Sequence, residues 1–273
     1  MNFEVLSLAN ANWIIVTTRQ AAPTARRTSC QDAIGAELLA DGGCAIAVAD
    51  GVGSGARGDV CSAAAVAHSL RAAPYASDVR DVLAGADSAV RAALTSHTSA
   101  RGATTLVGAW LDAWGEGWVG HCGDSRAYVA RMERLCVRLD PITRDHSYRN
   151  LGLATPLSGS PDDPARMLGL GRCGTCEVRQ LLVSPGDLVM LCTDGLHARL
   201  ELRGLERGVG KAVLEMRGLD TGGARERLAL LARALVNDAR AHRSCDDASI
   251  ALAWRRQLSE DWQPGGLSCR ISS

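Results

Sequence analysis

Three apolar runs in this chain end the same way. AIAVA runs into Asp50-Gly51, WVGHCG into Asp124-Ser125, and LVMLCT into Asp194-Gly195. A single Asp-Gly is ordinary turn chemistry. Three such endings, with a fourth carboxylate at Asp246 just before the strand-like ASIALAW, constrain the fold far more. Strands that neighbour one another in a sheet bring their ends to one rim, and unpaired carboxylates crowded there repel. Hard divalent cations such as Mg²⁺ or Mn²⁺ relieve that repulsion and prefer oxygen ligands. The pattern predicts a carboxylate-rich metal site at the end of a sheet.

The organisation of the chain supports such a sheet. Strand-like runs rich in Val, Ile, Leu and Ala occupy 3–8, 12–18, 44–49, 105–111, 117–121, 126–131, 134–139, 177–183, 188–193 and 248–254. Asp41-Gly42-Gly43, between ELLA and CAIAVA, reads as a hairpin turn. Helical patterns cover 59–72, 79–95, about 204–216 and 222–242, the last strongly amphipathic. Residues 150–172, rich in proline and glycine, read as a surface loop. Strands come in groups and helices in groups, so the fold class is α+β and not alternating α/β. No composition shift marks an internal boundary, giving one domain over 1–256 and a polar tail over 257–273.

Composition excludes several functions. Thirty basic residues balance thirty acidic ones, which argues against a nucleic-acid partner, whose electrostatic footprint is a basic face. No apolar stretch is long enough to span a membrane, and the N-terminus lacks the basic and apolar regions of a secretion signal, so the expected location is cytoplasmic. Of the ten cysteines, Cys44, Cys136 and Cys192 fall inside apolar strand patterns and are expected to be small buried hydrophobes. Cys173 and Cys176 form a lone CxxC with no second pair at finger spacing, and are expected to be loop thiols.

Two phosphate-binding motifs fail on context. Gly53-Ser54-Gly55-Ala56-Arg57-Gly58 matches G-x-G-x-x-G, but a dinucleotide fold needs a second strand ending in an acidic residue about 20 residues on. Here a second helix follows instead, and no P-loop sequence is present. His121-Cys122 is similar to the nucleophile of cysteine-dependent phosphatases, but the arginine that should follow after five residues, Arg126, comes after three.

Taken together, the motifs resemble those of the PP2C-type metal-dependent Ser/Thr protein phosphatases, in their compact bacterial branch. Arg27-Thr28-Ser29-Cys30-Gln31-Asp32 resembles the opening R-x-x-N-E/Q-D, and Asp50-Gly51-Val52 with Gly58-Asp59 and Ser62 resembles D-G-M-G-G…G-E…S. Gly102-Ala103-Thr104-Thr105 resembles G-T-T, Gly123-Asp124-Ser125-Arg126-Ala127-Tyr128 resembles G-D-S-R-x-Y, and Thr143-Arg144-Asp145-His146-Ser147 resembles T-x-D-H-S. Ala165-Arg166-Met167-Leu168-Gly169, the stretch from Pro185 to Gly195, and Asp246-Asp247-Ala248-Ser249 resemble the later motifs in order. The resemblance spans roughly residues 5 to 254.

The resemblance implies a four-layer α-β-β-α sandwich of two antiparallel sheets, with two to three Mn²⁺ or Mg²⁺ ions in a cleft at one end. It implies that Asp50 bridges two ions, Gly51 offers its carbonyl, and Asp194 and Asp246 complete the ligands of the first ion. Asp32 would act near the second ion, directly or through water, and Asp124 would hold a third. Arg27 would grip the substrate phosphate with a planar fork that lysine does not offer. Paired cations polarise a phosphomonoester and acidify a water, so no side-chain nucleophile is needed. The implied partners are phosphorylated proteins, substrates of a bacterial Ser/Thr kinase. Cys30 stands where the family has Asn, and Val52 where animal members carry a histidine proposed as general acid; metal-bound water is then the expected proton source. His121 and His146 read as structural, while His97, His197 and His242 belong to no motif. The alternative function is a regulatory or binding module of the same fold, with little or no catalysis.

Overall fold

The computed structural model describes residues 3–22, 30–52, 57–72, 78–95, 102–133, 136–170 and 176–257. The chain opens with β1 (Glu4–Ala9), β2 (Trp13–Gln20), β3 (Ala33–Leu38), β4 (Cys44–Ala49) and the short β5 (Gly51–Val52). Helices α1 (Gly58–Ala72) and α2 (Val79–Thr95) follow, then β6 (Ala103–Thr104), β7 (Leu106–Leu111), β8 (Glu116–Cys122), β9 (Arg126–Met132) and β10 (Val137–Pro141). After the one-turn α3 (Tyr148–Leu151) come β11 (Glu177–Leu182) and β12 (Leu188–Cys192). The one-turn α4 (Asp194–His197), α5 (Leu202–Met216), α6 (Thr221–Ala241) and β13 (Ala248–Arg255) complete the order.

Two antiparallel sheets form, one ordered β1-β2-β13-β12-β9-β10 and the other β11-β8-β7-β4-β3, with β5 and β6 pairing separately. Side chains alternate across each strand, so β2 sends Trp13 and Ile15 between the sheets and Ile14 and Val16 outward. Between the sheets they meet Ile46 and Val48 of β4, Val107 of β7, and Val189 and Leu191 of β12. On the outer side, Leu188 and Met190 of β12 and Ile250 and Leu252 of β13 pack under α5 and α6. The other sheet buries Ala45, Ala47, Leu106 and Trp110 against Cys61 and Ala65 of α1 and Val82, Leu83 and Val90 of α2. Three apolar seams therefore separate four layers, and the α+β sandwich read from the sequence is the fold. Burial on both faces explains why CAIAVA and LVMLC are unbroken apolar runs.

Helix α6 shows the local logic. Leu228, Leu231, Ala232, Leu235, Val236 and Ala239 recur at three- and four-residue spacing and are buried. Asp220 caps the helix by accepting the Gly223 N–H at 2.7 Å. Each buried leucine contributes about 1.5–3 kcal/mol of transfer free energy, so the packed stripe holds this helix more than its intrinsic propensity does.

The structure departs from the sequence reading in specific places. Cys136 is exposed, because pairing with β9 begins only at Val137↔Met132, so it is not a strand-core thiol. The one-turn α3 and α4 carry no periodic apolar signal and were not expected. The tail beyond Gln257, Arg27 and Cys173 lie outside the described residues. No helix among the described residues is long and apolar enough to cross a membrane.

Candidate metal centre

The acidic strand ends converge, but not along one sheet rim. β4 stops at Ala49 before Asp50 and β8 stops at Cys122 before Asp124, both in the five-stranded sheet. β12 stops at Cys192 before Asp194 and β13 starts at Ala248 after Asp246, both in the six-stranded sheet. The carboxylates therefore meet across the gap between the sheets, at one end of the sandwich. Asp50 is the centre of the group. Burial pushes its carboxyl well above the ordinary range, and the charges of Asp32, Asp194, Asp246 and Asp124 push it further. Every described aspartate singled out from the sequence thus acts on Asp50.

Each neighbour has its own setting. Asp32 is buried, and its carboxyl is raised by desolvation and by the charges of Asp247 and Asp194, against a lowering hydrogen bond from Thr193. Asp124, also buried, is raised to about 7 by desolvation and then by Asp194 and Asp145. Asp194 is half-buried and raised by desolvation and by Asp246. The Oδ1 atoms of Asp124 and Asp194 are buried and accept no hydrogen bond from the described residues. Among the described residues no lysine or arginine ion pair reaches Asp32, Asp50, Asp124 or Asp194. Orphaned, mutually repelling carboxylate oxygens are what a divalent cation with hard oxygen preference would satisfy, so these residues fit the ions the motifs imply.

The backbone around the carboxylates is closely packed, which accounts for the small residues that follow them. A Cβ on Gly51 would lie 2.2 Å from the Gly58 carbonyl oxygen, and one on Gly195 would lie 1.8 Å from that of Asp247. Hydroxyls then lock the acidic residues in place. The Asp50 N–H donates to Thr105 Oγ1 at 2.9 Å, Thr104 Oγ1 donates to the Asp50 carbonyl at 2.8 Å, and Thr105 Oγ1 meets Ser125 Oγ at 2.7 Å. Asp50 is thereby tied to the turn that carries Asp124. Thr193 Oγ1 donates to Asp32 Oδ2 at 2.9 Å and accepts the Ser249 N–H at 3.1 Å, tying the residue before β3 of one sheet to β12 and β13 of the other. Ser62 of α1 donates to the Gln31 carbonyl at 2.6 Å.

Three contributors were not singled out from the sequence. Asp247, the second carboxylate of the CDD triplet, accepts the N–H groups of Ala22 and Gln31, both at 2.6 Å. It fastens both flanks of the segment that contains Arg27. Thr193 was seen only as a motif letter. His197 donates from Nε2 to the Asp124 carbonyl at 3.0 Å; only the fold could reveal this, since 73 residues separate the partners.

Nearby, His121, His146 and Glu177 bring potential ligand atoms within 4.8 Å of one another, and the two imidazoles stack at 4.3 Å. Hydrogen bonding assigns their protons. His121 Nε2 faces the Arg144 carbonyl at 3.0 Å and must donate to it. His146 Nδ1 faces the Gly123 N–H at 3.3 Å and must accept, which puts the proton on Nε2, 3.4 Å from Glu177 Oε1. His146 braces the Gly123 turn, and His121 holds the Arg144 carbonyl beside it.

The profile of protein phosphatase 2C matches residues 19–232. The chain belongs to the protein phosphatase 2C family. Members are metal-dependent phosphatases that act on phosphorylated proteins. Solved structures give the same fold. The serine/threonine phosphatase PstP/Ppp of Mycobacterium tuberculosis has TM-score 0.67 and 21% identity, over 90% of this chain and 100% of that one. The catalytic domain of PstP in complex with two manganese ions has TM-score 0.67 and 20% identity, over 90% and 99%. The phosphatase MsPP of Mycobacterium smegmatis, in complex with cacodylate, has TM-score 0.64 and 24% identity, over 88% and 97%. No curated protein sequence matches.

Proposed function

We propose that this protein phosphatase 2C member hydrolyses phosphoserine and phosphothreonine in proteins at a centre of two to three Mn²⁺ or Mg²⁺ ions. The observation that carries the proposal is the set of four carboxylates, Asp32, Asp124, Asp194 and Asp246, whose charges all bear on Asp50. Asp50 would bridge two ions, with the Gly51 carbonyl, Asp194 and Asp246 beside it. Asp32 would serve the second ion, directly or through water, and Asp124 an additional one. When bound, the ions would neutralise charge on the phosphoryl group and acidify a water molecule. The two manganese ions in the PstP catalytic domain support this number.

The protein's own groups supply the rest. Asp50, Asp194 and Asp246 are half-buried, whereas Asp32 and Asp124 are buried. Thr104 and Thr105 hold the Asp50 backbone and Thr193 holds the Asp32 carboxylate, so little reorganisation is left for the transition state. Arg27 would orient the phosphate through paired N–H donors. Asp247 anchors that segment at Ala22 and Gln31. The physiological substrates are those of a bacterial Ser/Thr kinase.

The test is hydrolysis of p-nitrophenyl phosphate and of a phosphothreonine peptide, with Mn²⁺ and with EDTA. Mn²⁺-dependent turnover that Asp194→Ala abolishes is expected. Well-folded protein that binds Mn²⁺ yet hydrolyses neither substrate would instead mark a binding or regulatory module.

A further inference from the structure

Helix α4 is a single turn, with Asp194 at its first position and His197 at its last. Residues three apart on a turn share a face, so the imidazole and the carboxylate are presented together. His197 is only 8% exposed, and its Nε2 lies 3.0 Å from the Asp124 carbonyl oxygen. A carbonyl only accepts, so Nε2 carries the proton and Nδ1 keeps its lone pair. That Nδ1 is buried without a partner.

Asp124 is gripped from the other side as well. The preceding Gly123 donates its N–H to His146 Nδ1, and the His146 N–H donates to the Gly123 carbonyl at 2.9 Å. The peptide unit after Asp124 is braced by His197. Asp124 and Asp194 are charge neighbours, and each has a buried Oδ1 that accepts nothing from the described residues. A short rigid path therefore links the two carboxylates, running from Asp194 through one helical turn and the His197 ring to the Asp124 carbonyl. Asp50 is held by a different set, Thr104 and Thr105.

We propose that His197 is a positioning residue that fixes Asp124 against the turn carrying Asp194, and so sets the affinity of the additional divalent ion that Asp124 would hold. The inference rests on the metal-centre reading above. It assigns His197, through its hydrogen bond to the Asp124 carbonyl, to the ion on Asp124 and not to those on Asp50. A residue that merely filled space would affect all ions together or none.

The experiment titrates the full chain with Mn²⁺, following bound ions by calorimetry and by the electron paramagnetic resonance signal of free Mn²⁺. His197→Gln keeps an N–H donor near the Nε2 position, and His197→Met keeps the bulk without the donor. Loss of such an outer-shell partner typically costs roughly 10- to 100-fold in metal affinity, and that loss is expected in His197→Met for the weakest-bound ion alone. His197→Gln should bind every ion within about threefold of the parent protein, since the hydrogen bond that orients the ligand is kept. Unchanged binding in His197→Met would overturn the proposal, as would equal weakening of all ions by both variants. Should His197→Met not fold, ¹⁵N spectra of the parent imidazoles titrated with Mg²⁺ decide the matter. An Nε2–H resonance of His197 that shifts in step with the weakest ion supports the proposal, and an Nδ1–H tautomer or no shift overturns it. Parent protein that binds no Mn²⁺ would overturn the metal-centre reading itself, whereas binding with indifferent variants removes only the role of His197.

Discussion

Replacing Asp124 by asparagine removes one negative charge from the acidic cleft while keeping the side chain's shape. Asp124 is 8% exposed, and burial with the charges of Asp194 and Asp145 raises its carboxyl from 3.8 to about 7. At about 1.4 kcal/mol per pH unit, that rise corresponds to about 4 kcal/mol of preference for the neutral form in the folded state. Because the folded-state pKa is raised, this contribution to stability is complete below pH 3.8 and is lost as the pH climbs through about 7. Asp32, Asp50 and Asp194 are shifted in the same direction. Metal-free parent protein should therefore lose stability as the pH rises from 4 to 8, and Asp124→Asn should lose less.

Against a typical total of about 5–15 kcal/mol the difference is large. Urea unfolding in EDTA at pH 8 should show the variant's midpoint about 1 M higher, converging with the parent toward pH 4. Saturating Mn²⁺ should stabilise the parent more than the variant, since ligand binding to the folded state adds stability by mass action. A variant no more stable than the parent in EDTA at pH 8 would refute the reasoning, because the carboxylate would then carry no electrostatic penalty.

Gly195→Ala should be among the most damaging small changes in the chain. Its Cβ would sit 1.8 Å from the Asp247 carbonyl oxygen, and relieving that overlap at the junction of α4 and β13 should cost about 3 kcal/mol or more, read by chemical denaturation. Thr193→Val keeps the shape but removes the donor to Asp32 and the acceptor for the Ser249 N–H. Leaving buried polar groups unsatisfied should cost about 1–3 kcal/mol, with weakened Mn²⁺ binding measured by calorimetry as the functional counterpart.

Local chemistry made much of this protein legible in its sequence. The apolar runs of β4, β12 and β13 and the spaced leucines of α6 identify themselves, because each carries the period of its own element. The aspartates at Asp50, Asp124, Asp194 and Asp246 announce themselves by ending or preceding those runs. Cys136 misled because its apolar neighbours resemble strand, whereas burial is decided by where pairing with β9 begins.

What the sequence alone determined is which residues carry charge, which segments form strands or helices, and which glycines follow the acids. Only the tertiary structure decided that the acids come from both sheets and meet across the gap between them, not along one rim. It alone decided that Asp247 holds the flanks of the Arg27 segment and that His197 reaches the Asp124 carbonyl. The reason is physical: periodicity and turn chemistry act over a few residues, whereas the packing of two sheets brings together groups as distant as Gln31 and Asp247, 216 residues apart. No pattern within either segment encodes that meeting; it exists only once the three apolar seams have closed.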